Sequence, residues 1–204
     1  MKQPSQIAPA DGRLAVLLPG LGAVATTTIA GVMLARRGLA EPVGSLTQSA
    51  TIRLGKRTEE RSPYIRDFLP LAGLDQLQFG GWDIFPDDAY EAAKKADVLN
   101  DQHLQPIQEE LGAVKPYAGA FYPEYVKRLQ GTFVKQATDK AEMVEQLRDD
   151  IRSFKKDQNC SRAVAVWCGS TEIFMPTAEV HQSVKAFEAG LQKNDPSISN
   201  SQLY

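Results

Sequence analysis

Residues 14–26 read Leu14-Ala15-Val16-Leu17-Leu18-Pro19-Gly20-Leu21-Gly22-Ala23-Val24-Ala25-Thr26. The first five are apolar without alternation, which predicts a strand buried on both faces. The glycines that follow predict a tight turn. Residues 26–37 then predict a helix, because Ile29, Val32 and Met33 form an apolar stripe and Gly38 is a C-cap candidate. The order is therefore strand, glycine turn, helix.

The turn fits the dinucleotide-binding pattern Gly20-x-Gly22-x-x-Ala25. In that pattern the first glycine permits the turn, the second lets a pyrophosphate approach the backbone, and the third small residue lets helix and strand pack. Hydroxyls in residues 26–28 are further candidate donors to the phosphates. The acid expected about 20 residues downstream is missing, since Glu41 lies in an Ala-Glu-Pro turn. A strand–helix turn without a ligand is the alternative.

The rest of the chain alternates between strand and helix patterns, which predicts an α/β fold with a parallel sheet. Residues 1–12 are expected to be a loose tail and residues 13–204 one domain. The patterns predict strands at 47–54, 76–79 and 162–168, the last buried, an extended segment at 115–122, and helices at 87–96, 101–111, 139–156 and 179–194, the last buried through Val180, Val184, Phe187 and Leu191.

Two further glycine-bearing segments follow predicted strands. Asp83, in Gly80-Gly81-Trp82-Asp83-Ile84, is a candidate acceptor for sugar hydroxyls, and the paired glycines would leave room for a ligand. The alternative is that Asp83 only caps the helix that starts near Asp87. The segment Trp167-Cys168-Gly169-Ser170-Thr171-Glu172 ends the second apolar strand, where ligands of open α/β sheets bind. An ordinary turn is its alternative.

Composition excludes several classes of function. The chain has 23 Lys+Arg and 25 Asp+Glu, a net charge of -2, which argues against a nucleic-acid footprint. The basic stretch 53–66 is interrupted by acidic residues and predicts a solvated loop. No apolar run is long enough to span a membrane, and no signal peptide is recognisable.

Two cysteines predict a reduced, cytoplasmic protein and give no metal-type spacing. Cys168 is expected to be a packing residue rather than a nucleophile, because no His partner is near it in the sequence. His103 and His181 are expected to be surface or packing residues.

The last residues contain the capping-box pattern Ser199-x-x-Gln202, followed by apolar Leu203 and Tyr204. The pattern predicts that a helix opens here, and we expect the α/β domain to be truncated at its C-terminus. A frayed natural terminus is the alternative.

Several of these motifs, in this order, resemble the inositol-3-phosphate synthase (myo-inositol-1-phosphate synthase) family from about Leu14 to Tyr204. The segments that carry the resemblance are Gly80-Gly81-Trp82-Asp83-Ile84, Lys115-Pro116, Phe121-Tyr122-Pro123-Glu124, Val166-Trp167-Cys168-Gly169-Ser170-Thr171-Glu172 and Ile198-Ser199-Asn200-Ser201-Gln202-Leu203-Tyr204.

The resemblance implies an isomerase that converts D-glucose 6-phosphate to 1D-myo-inositol 3-phosphate with bound NAD, in a redox-neutral cycle. It implies a Rossmann-like NAD-binding domain, a homotetramer and a product used for inositol and phospholipid synthesis. The family's catalytic lysines would lie beyond Tyr204, so no catalytic residue is assigned and the chain alone is expected to be inactive. An NAD(P)-dependent dehydrogenase and a non-catalytic NAD-binding module are the alternatives.

The resemblance also implies cofactor contacts. Many family members have Gly-Gly-Asn-Asn-Gly where this chain has Gly22-Ala23-Val24-Ala25-Thr26, so the asparagine contacts are absent. In the segment after the last strand, only Thr171 matches the family's Thr-Ala-Asn-Thr. The implied NAD contacts are Gly20, Gly22, Ala23, Val24, Ala25, Asp83, Gly119, Ala120, Cys168, Gly169, Ser170 and Thr171.

Overall fold

A computed structural model describes residues 11–204. Its centre is a four-stranded sheet made of β1 (Arg13–Pro19), β2 (Leu77–Asp83), β3 (Tyr117–Ala118) and β4 (Cys160–Ala165). The strand order is β3-β2-β1-β4 and every pairing is parallel, which confirms the predicted α/β class. The chain leaves β1 toward β2 on one side and reaches β4 on the other, so the strand order reverses between β1 and β4. Ligands of open α/β sheets bind at such a point.

Seven helices cover the two faces within the described residues. Most bounds agree with the sequence, but Pro106 lies where the predicted helix 101–111 divides into two short helices joined by a 3-10 turn. The helices are α1 (Ala23–Arg36), α2 (Leu46–Ser49), α3 (Ala89–Ala96), α4 (Asp101–Leu104), α5 (Gln108–Gly112), α6 (Lys140–Asp157) and α7 (Val184–Gln192).

Two apolar cores, one on each face of the sheet, hold the layers together. On one face Leu18 of β1 packs with Ile29 and Met33 of α1 and with residues of α3–α5. On the other face Leu17 and Trp82 pack against α6 and the C-terminal residues. Because successive strand residues point to opposite faces, the uninterrupted apolar run of β1 feeds both cores, as the sequence predicts.

The segment between α1 and β2 (residues 37–76), called the excursion below, differs from the sequence prediction. Residues 47–54 were expected to form a strand, but the segment begins as α2, and only an isolated antiparallel bridge joins Thr51 to Tyr64. The segment folds back on itself, since the amide of Ile52 donates to the carbonyl of Pro63. It therefore adds no strand to the sheet. Its basic residues are exposed, as the predicted solvated loop requires.

The burial predicted for two elements is wrong. The strand expected at 162–168 corresponds to β4, which ends three residues earlier at Ala165; it lies at the end of the strand order, and its Val164 is 42% exposed. The helix expected at 179–194 is a 3-10 turn over Glu179–His181 followed by α7. Val184 opens α7 and is 76% exposed, whereas Val180 and Leu191 are buried as predicted.

A buried lysine fixes the C-terminal segment 195–204 to the rest of the domain. Lys140 is 3% exposed, and its Nζ donates to the carbonyls of Asp195 and Ile198, each at 2.7 Å, and to the hydroxyl of Tyr125 at 2.8 Å. Burial lowers the pKa of Lys140. Three oxygen acceptors offset the cost of burying the ammonium group.

The capping box predicted at Ser199 is half formed. The Ser199 amide donates to Gln202 Oε1, whereas the Ser199 hydroxyl donates to Glu172 and does not accept from the Gln202 amide, which donates to the Ser199 carbonyl instead. The turn it opens is a 3-10 turn over Asn200–Gln202. Residues 1–10 of the predicted tail lie outside the described residues. No helix between residues 11 and 204 combines the length and apolar character needed to cross a membrane.

Candidate cofactor site

A cavity of about 190 Å³ opens at the carboxyl ends of the strands. Four strand-end segments meet there: the glycine turn after β1, Asp83 at the end of β2, Gly119 and Ala120 after β3, and the loop after β4. Ile84, Phe85, Val126 and Leu129 give part of the wall an apolar character. The cavity therefore lies where an open parallel sheet binds its ligands.

The glycine turn after β1 is held by contacts that only glycine permits. Gly20 has φ +92°, and a Cβ atom placed on it would lie 2.6 Å from the Gly169 Cα. Its amide donates to the carbonyl of Trp82 at 2.7 Å, which ties the turn to β2. The first glycine of the fingerprint thus lets the turns after β1 and β4 touch.

The second glycine of the fingerprint, Gly22, has open space around its Cβ position. Gly22 is exposed, and a Cβ atom placed on it would meet no protein atom within 4 Å. Gly22 is the N-cap of α1 and offers no side-chain cap to the first helical amides, and the first turn carries no acidic residue. Free amides and the positive end of the helix dipole favour an anion here.

The hydroxyls of Thr26 and Thr28 are not available as phosphate donors. Thr26 is 1% exposed and its hydroxyl donates to the carbonyl of Gly22 at 2.9 Å, while the Thr28 hydroxyl donates to the carbonyl of Val24 at 2.8 Å. The helix begins at Ala23, three residues before the predicted start, so both side chains lie inside it and bond back to its carbonyls.

Asp83 ends β2, which is where dinucleotide-binding folds place the acid that the sequence spacing did not reveal. The spacing rule searches about 20 residues after the fingerprint, but the excursion 37–76 delays β2, so its final residue is Asp83. The exposed Glu41 lies in that excursion and does not line the cavity. An acid at the end of the second strand is the group that holds the adenosine ribose in dinucleotide-binding folds.

The carboxylate of Asp83 also organises the glycine turn. Its Oδ2 accepts from the Leu21 amide at 2.6 Å and its Oδ1 from the Phe85 amide at 3.0 Å. Desolvation raises the pKa of Asp83, and the amides of Phe85, Leu21 and Ile84 oppose that rise. The alternative that Asp83 only caps the next helix is wrong, because Asp88 caps α3 through the amides of Tyr90 and Glu91.

The paired glycines before Trp82 serve packing rather than a ligand. A Cβ atom on Gly80 would collide with the ring of Phe154 from α6, and one on Gly81 would collide with the carbonyl of Leu18. The room that they leave is therefore already filled by the protein. The prediction that they make space for a ligand is wrong.

The floor of the cavity comes from Asn200 and Tyr204, which are not among the predicted cofactor contacts. Asn200 is 2% exposed and holds the backbone of Tyr122 twice, accepting from its amide at 2.7 Å and donating to its carbonyl at 3.0 Å. The Tyr204 hydroxyl accepts from the Ala120 amide at 2.7 Å. The Tyr204 ring lies between Trp82 and Trp167, with ring centroids 5.2 and 5.6 Å away.

Most of the predicted contact residues converge on this cavity. Eight of the twelve line it: Gly20, Gly22, Asp83, Gly119, Ala120, Cys168, Gly169 and Ser170. The four that do not are Ala23, Val24, Ala25 and Thr171. Ala25 is fully buried in the core between α1 and the sheet, as the fingerprint's third small residue should be. Ala23 and Val24 are exposed in the first turn of α1.

Neither thiol nor histidine forms a reactive group at the site. Both cysteines are free, and burial raises the pKa of the Cys168 thiol, which keeps it protonated. His103 is exposed on α4, and His181 Nδ1 accepts from the Ala178 amide at 2.9 Å. Between residues 11 and 204, no three His, Cys, Asp or Glu side chains are grouped so that they could hold a metal ion.

Comparison with known proteins assigns this arrangement to a family. A family model described as myo-inositol-1-phosphate synthase, whose label designates an NAD-binding domain, matches residues 14–204. The chain belongs to this family. NAD is the cofactor that this domain family binds, in agreement with the sequence prediction.

Individual relatives agree with the family. An inositol-3-phosphate synthase of Bacteroides thetaiotaomicron is 49% identical over 97% of this chain and 45% of its own length. One from Oryza sativa is 31% identical over 94% of this chain and 41% of its own length. The crystal structure of inositol-3-phosphate synthase from Caenorhabditis elegans has the same fold, with a TM-score of 0.85 at 22% identity over 95% of this chain and 42% of that one. The chain thus spans less than half the length of these relatives.

Proposed function

We propose that the chain supplies the NAD-binding part of an isomerase that converts D-glucose 6-phosphate to 1D-myo-inositol 3-phosphate. Bound NAD would supply reversible hydride transfer, so that the sugar is oxidised and later reduced with no net redox change. The role of these residues is to bind and orient the dinucleotide. We further propose that the complete enzyme is a cytoplasmic homotetramer of inositol and phospholipid synthesis.

The observation that carries the proposal is the space at Gly22. Asp83, the free amides of α1 and the loops after β3 and β4 surround one cavity, and the Cβ position of Gly22 is open to solvent. A close backbone approach to a pyrophosphate needs this open position. The twelve predicted contact residues divide accordingly. The backbone amides of residues 22–25 face the phosphates, Gly20 permits the turn, and Asp83 faces the ribose. The remaining residues line the cavity or, like Thr171, flank it.

Replacing Gly22 tests this assignment. In Gly22→Ala the new methyl group meets no protein atom, and φ is -79°, which alanine adopts easily. We expect the free energy of unfolding to stay within about 0.5 kcal/mol of wild type. The affinity for NADH should fall at least about tenfold, because the methyl group occupies the space of the pyrophosphate.

The two tryptophans of the chain provide the readout. Trp82 and Trp167 both line the cavity, so bound NADH should quench their emission by energy transfer. Gly31→Ala is the matched control, because Gly31 also has an open Cβ position but lies in the middle of α1. If wild type, Gly22→Ala and Gly31→Ala bind NADH with equal affinity, the glycine turn does not bind the phosphates of NAD.

A second experiment separates the proposed function from the dehydrogenase alternative. With NAD+ and D-glucose 6-phosphate, the chain alone should bind NAD+ but release neither NADH nor inositol phosphate. Accumulation of NADH would instead indicate an NAD(P)-dependent dehydrogenase. Inositol phosphate made by the chain alone would contradict its role as a binding part only.

A further inference from the structure

The hydroxyl group of Tyr204 accepts one hydrogen bond, but its hydrogen is donated to no acceptor in the described part of the chain. The Ala120 amide donates to the hydroxyl oxygen at 2.7 Å, so the hydroxyl hydrogen must point elsewhere. Within residues 11–204 this hydrogen has no acceptor. Tyr204 and Ala120 both line the cavity, which leaves the hydrogen available to whatever occupies it.

Packing on both sides holds the Tyr204 ring in place. Tyr204 packs between Trp82 and Trp167, and the segment that carries it is anchored by Lys140 through the carbonyls of Asp195 and Ile198. Rotation of the ring away from the cavity would break the aromatic contacts and the bond to Ala120. The hydroxyl is therefore held in place before a ligand binds.

The hydroxyl lies at the adenosine end of the site. The Gly119 amide donates to the carbonyl of Asp83 at 2.9 Å, so Ala120 and the Tyr204 hydroxyl sit beside the end of β2. An acid at the end of that strand marks the adenosine ribose. The nicotinamide half would extend the other way, past the glycine turn.

The hydroxyl stays protonated at neutral pH. Burial raises the pKa of Tyr204, and the carboxylates of Asp83 and Asp150 raise it further, against the opposing effect of the Ala120 amide. A neutral phenol is a hydrogen-bond donor and not a proton source at neutral pH.

We propose that Tyr204 is a cofactor-binding residue whose hydroxyl group donates a hydrogen bond to an oxygen or nitrogen acceptor of the adenosine half of NAD. The inference rests on the proposed function and adds to it a residue of the cavity floor. One hydrogen bond of this kind corresponds to about a fivefold change in affinity.

Tyr204→Phe tests the proposal, because phenylalanine keeps the packing between the two tryptophans. We expect about fivefold weaker binding of NADH by tryptophan-to-NADH energy transfer. Displacement of NADH by AMP should weaken by the same factor, whereas displacement by nicotinamide mononucleotide should not change. Tyr117→Phe is the matched control, since Tyr117 also packs on Trp82, with centroids 6.3 Å apart, but does not line the cavity.

A second variant separates donation to the ligand from support of the loop. With Tyr204 replaced by 4-aminophenylalanine, the amino group still donates into the cavity but accepts poorly from the Ala120 amide. Affinity for NADH and AMP within about twofold of wild type supports donation. A loss equal to that of Tyr204→Phe means that the hydroxyl only supports Ala120, and overturns the proposal.

The remaining outcomes are equally decisive. If wild type binds NADH and Tyr204→Phe binds it within twofold as tightly, this inference fails and the proposed function stands. Equal losses for AMP and nicotinamide mononucleotide overturn the assignment to adenosine. Wild type that does not bind NADH at all overturns the proposed function together with this inference.

Discussion

Strands β1 and β4 lie side by side in the sheet, yet they differ sharply in burial. Each contains an apolar stretch that leads into a glycine-bearing turn, and the two strands pair in parallel, with Val16 opposite Val164. Leu17 of β1 is 1% exposed, whereas Val164 of β4 is 42% exposed. An apolar run identifies a strand, but its place in the strand order decides how much of it is buried. That order depends on neighbours that come from distant parts of the chain.

The largest expected effect contrasts the two strands directly. Leu17→Ala removes a side chain from the core between the sheet and α6, and should lower the free energy of unfolding by about 3 kcal/mol. Val164→Ala should cost less than about 1 kcal/mol, because the valine has already left much of its surface in water. Urea denaturation followed by circular dichroism measures both. Similar losses at the two positions would mean that β4 is buried in solution.

Substitutions in the turns after β1 and β4 should also differ in their cost to the free energy of unfolding, with the larger cost in the turn after β1. Gly20→Ala adds a methyl group 2.6 Å from the Gly169 Cα at a φ of +92°, so it should cost about 2 kcal/mol. Gly169→Ala brings its methyl group against the ring of Trp167, which is 39% exposed and can shift toward solvent by loosening its contact with Tyr204, so it should cost less, about 1 kcal/mol. The same denaturation series tests this pair, and an equal cost would show that the Trp167 ring is fixed.

The smallest effect concerns the carboxylates near the two turns. Asp83 binds the turn after β1 and faces the cavity, whereas Glu172, after β4, is bonded to Ser199 and Ser201. Asp83→Asn should weaken NAD+ binding about tenfold at neutral pH, or about 1.4 kcal/mol, because ribose hydroxyls lose a charged acceptor. Glu172→Gln should leave the affinity within about twofold of wild type.

The pH dependence sharpens this prediction. The pKa of Asp83 is raised by desolvation, and ribose hydroxyls bind its ionised form, so NAD+ affinity should rise as pH increases through that pKa and then level off. On acidification the affinity should fall in wild type and in Glu172→Gln. Asp83→Asn should show no such dependence. Calorimetric titration at several pH values measures this, and a sloping profile in Asp83→Asn would assign the titration to another group.

The sequence predicts the local parts of this molecule well. The run into Gly20, the helix after Gly22 and the α6 helix follow from periodicity and glycine placement, and their bounds differ from the structure by three residues or fewer. Eight predicted contact residues line one cavity because parallel strands bring their carboxyl ends to one edge. Family resemblance supplied Gly119 and Ala120, which periodicity alone did not single out.

The parts that the sequence misses depend on long-range contacts. The floor of the cavity is made by Asn200 and Tyr204, which bond to backbone 78 and 84 residues away. Nothing in the pattern Ser-Asn-Ser-Gln-Leu-Tyr specifies those partners. Asp83 escaped the spacing rule because the excursion 37–76 lengthens the connection to β2. Such a surface excursion changes the spacing without changing where the strand ends.

The uncovered strand β4 has a consequence for handling the protein. Residues 163–168, which include the end of β4 and the segment that continues beside β1, read Ala-Val-Ala-Val-Trp-Cys, with no charge and no proline, and Val164, Val166 and Trp167 are each at least 39% exposed. An uncharged β-rich edge is a template for pairing with a second molecule. The chain in isolation should therefore precipitate at high concentration, and a lysine in place of Val166 would be the simplest change to keep it dispersed.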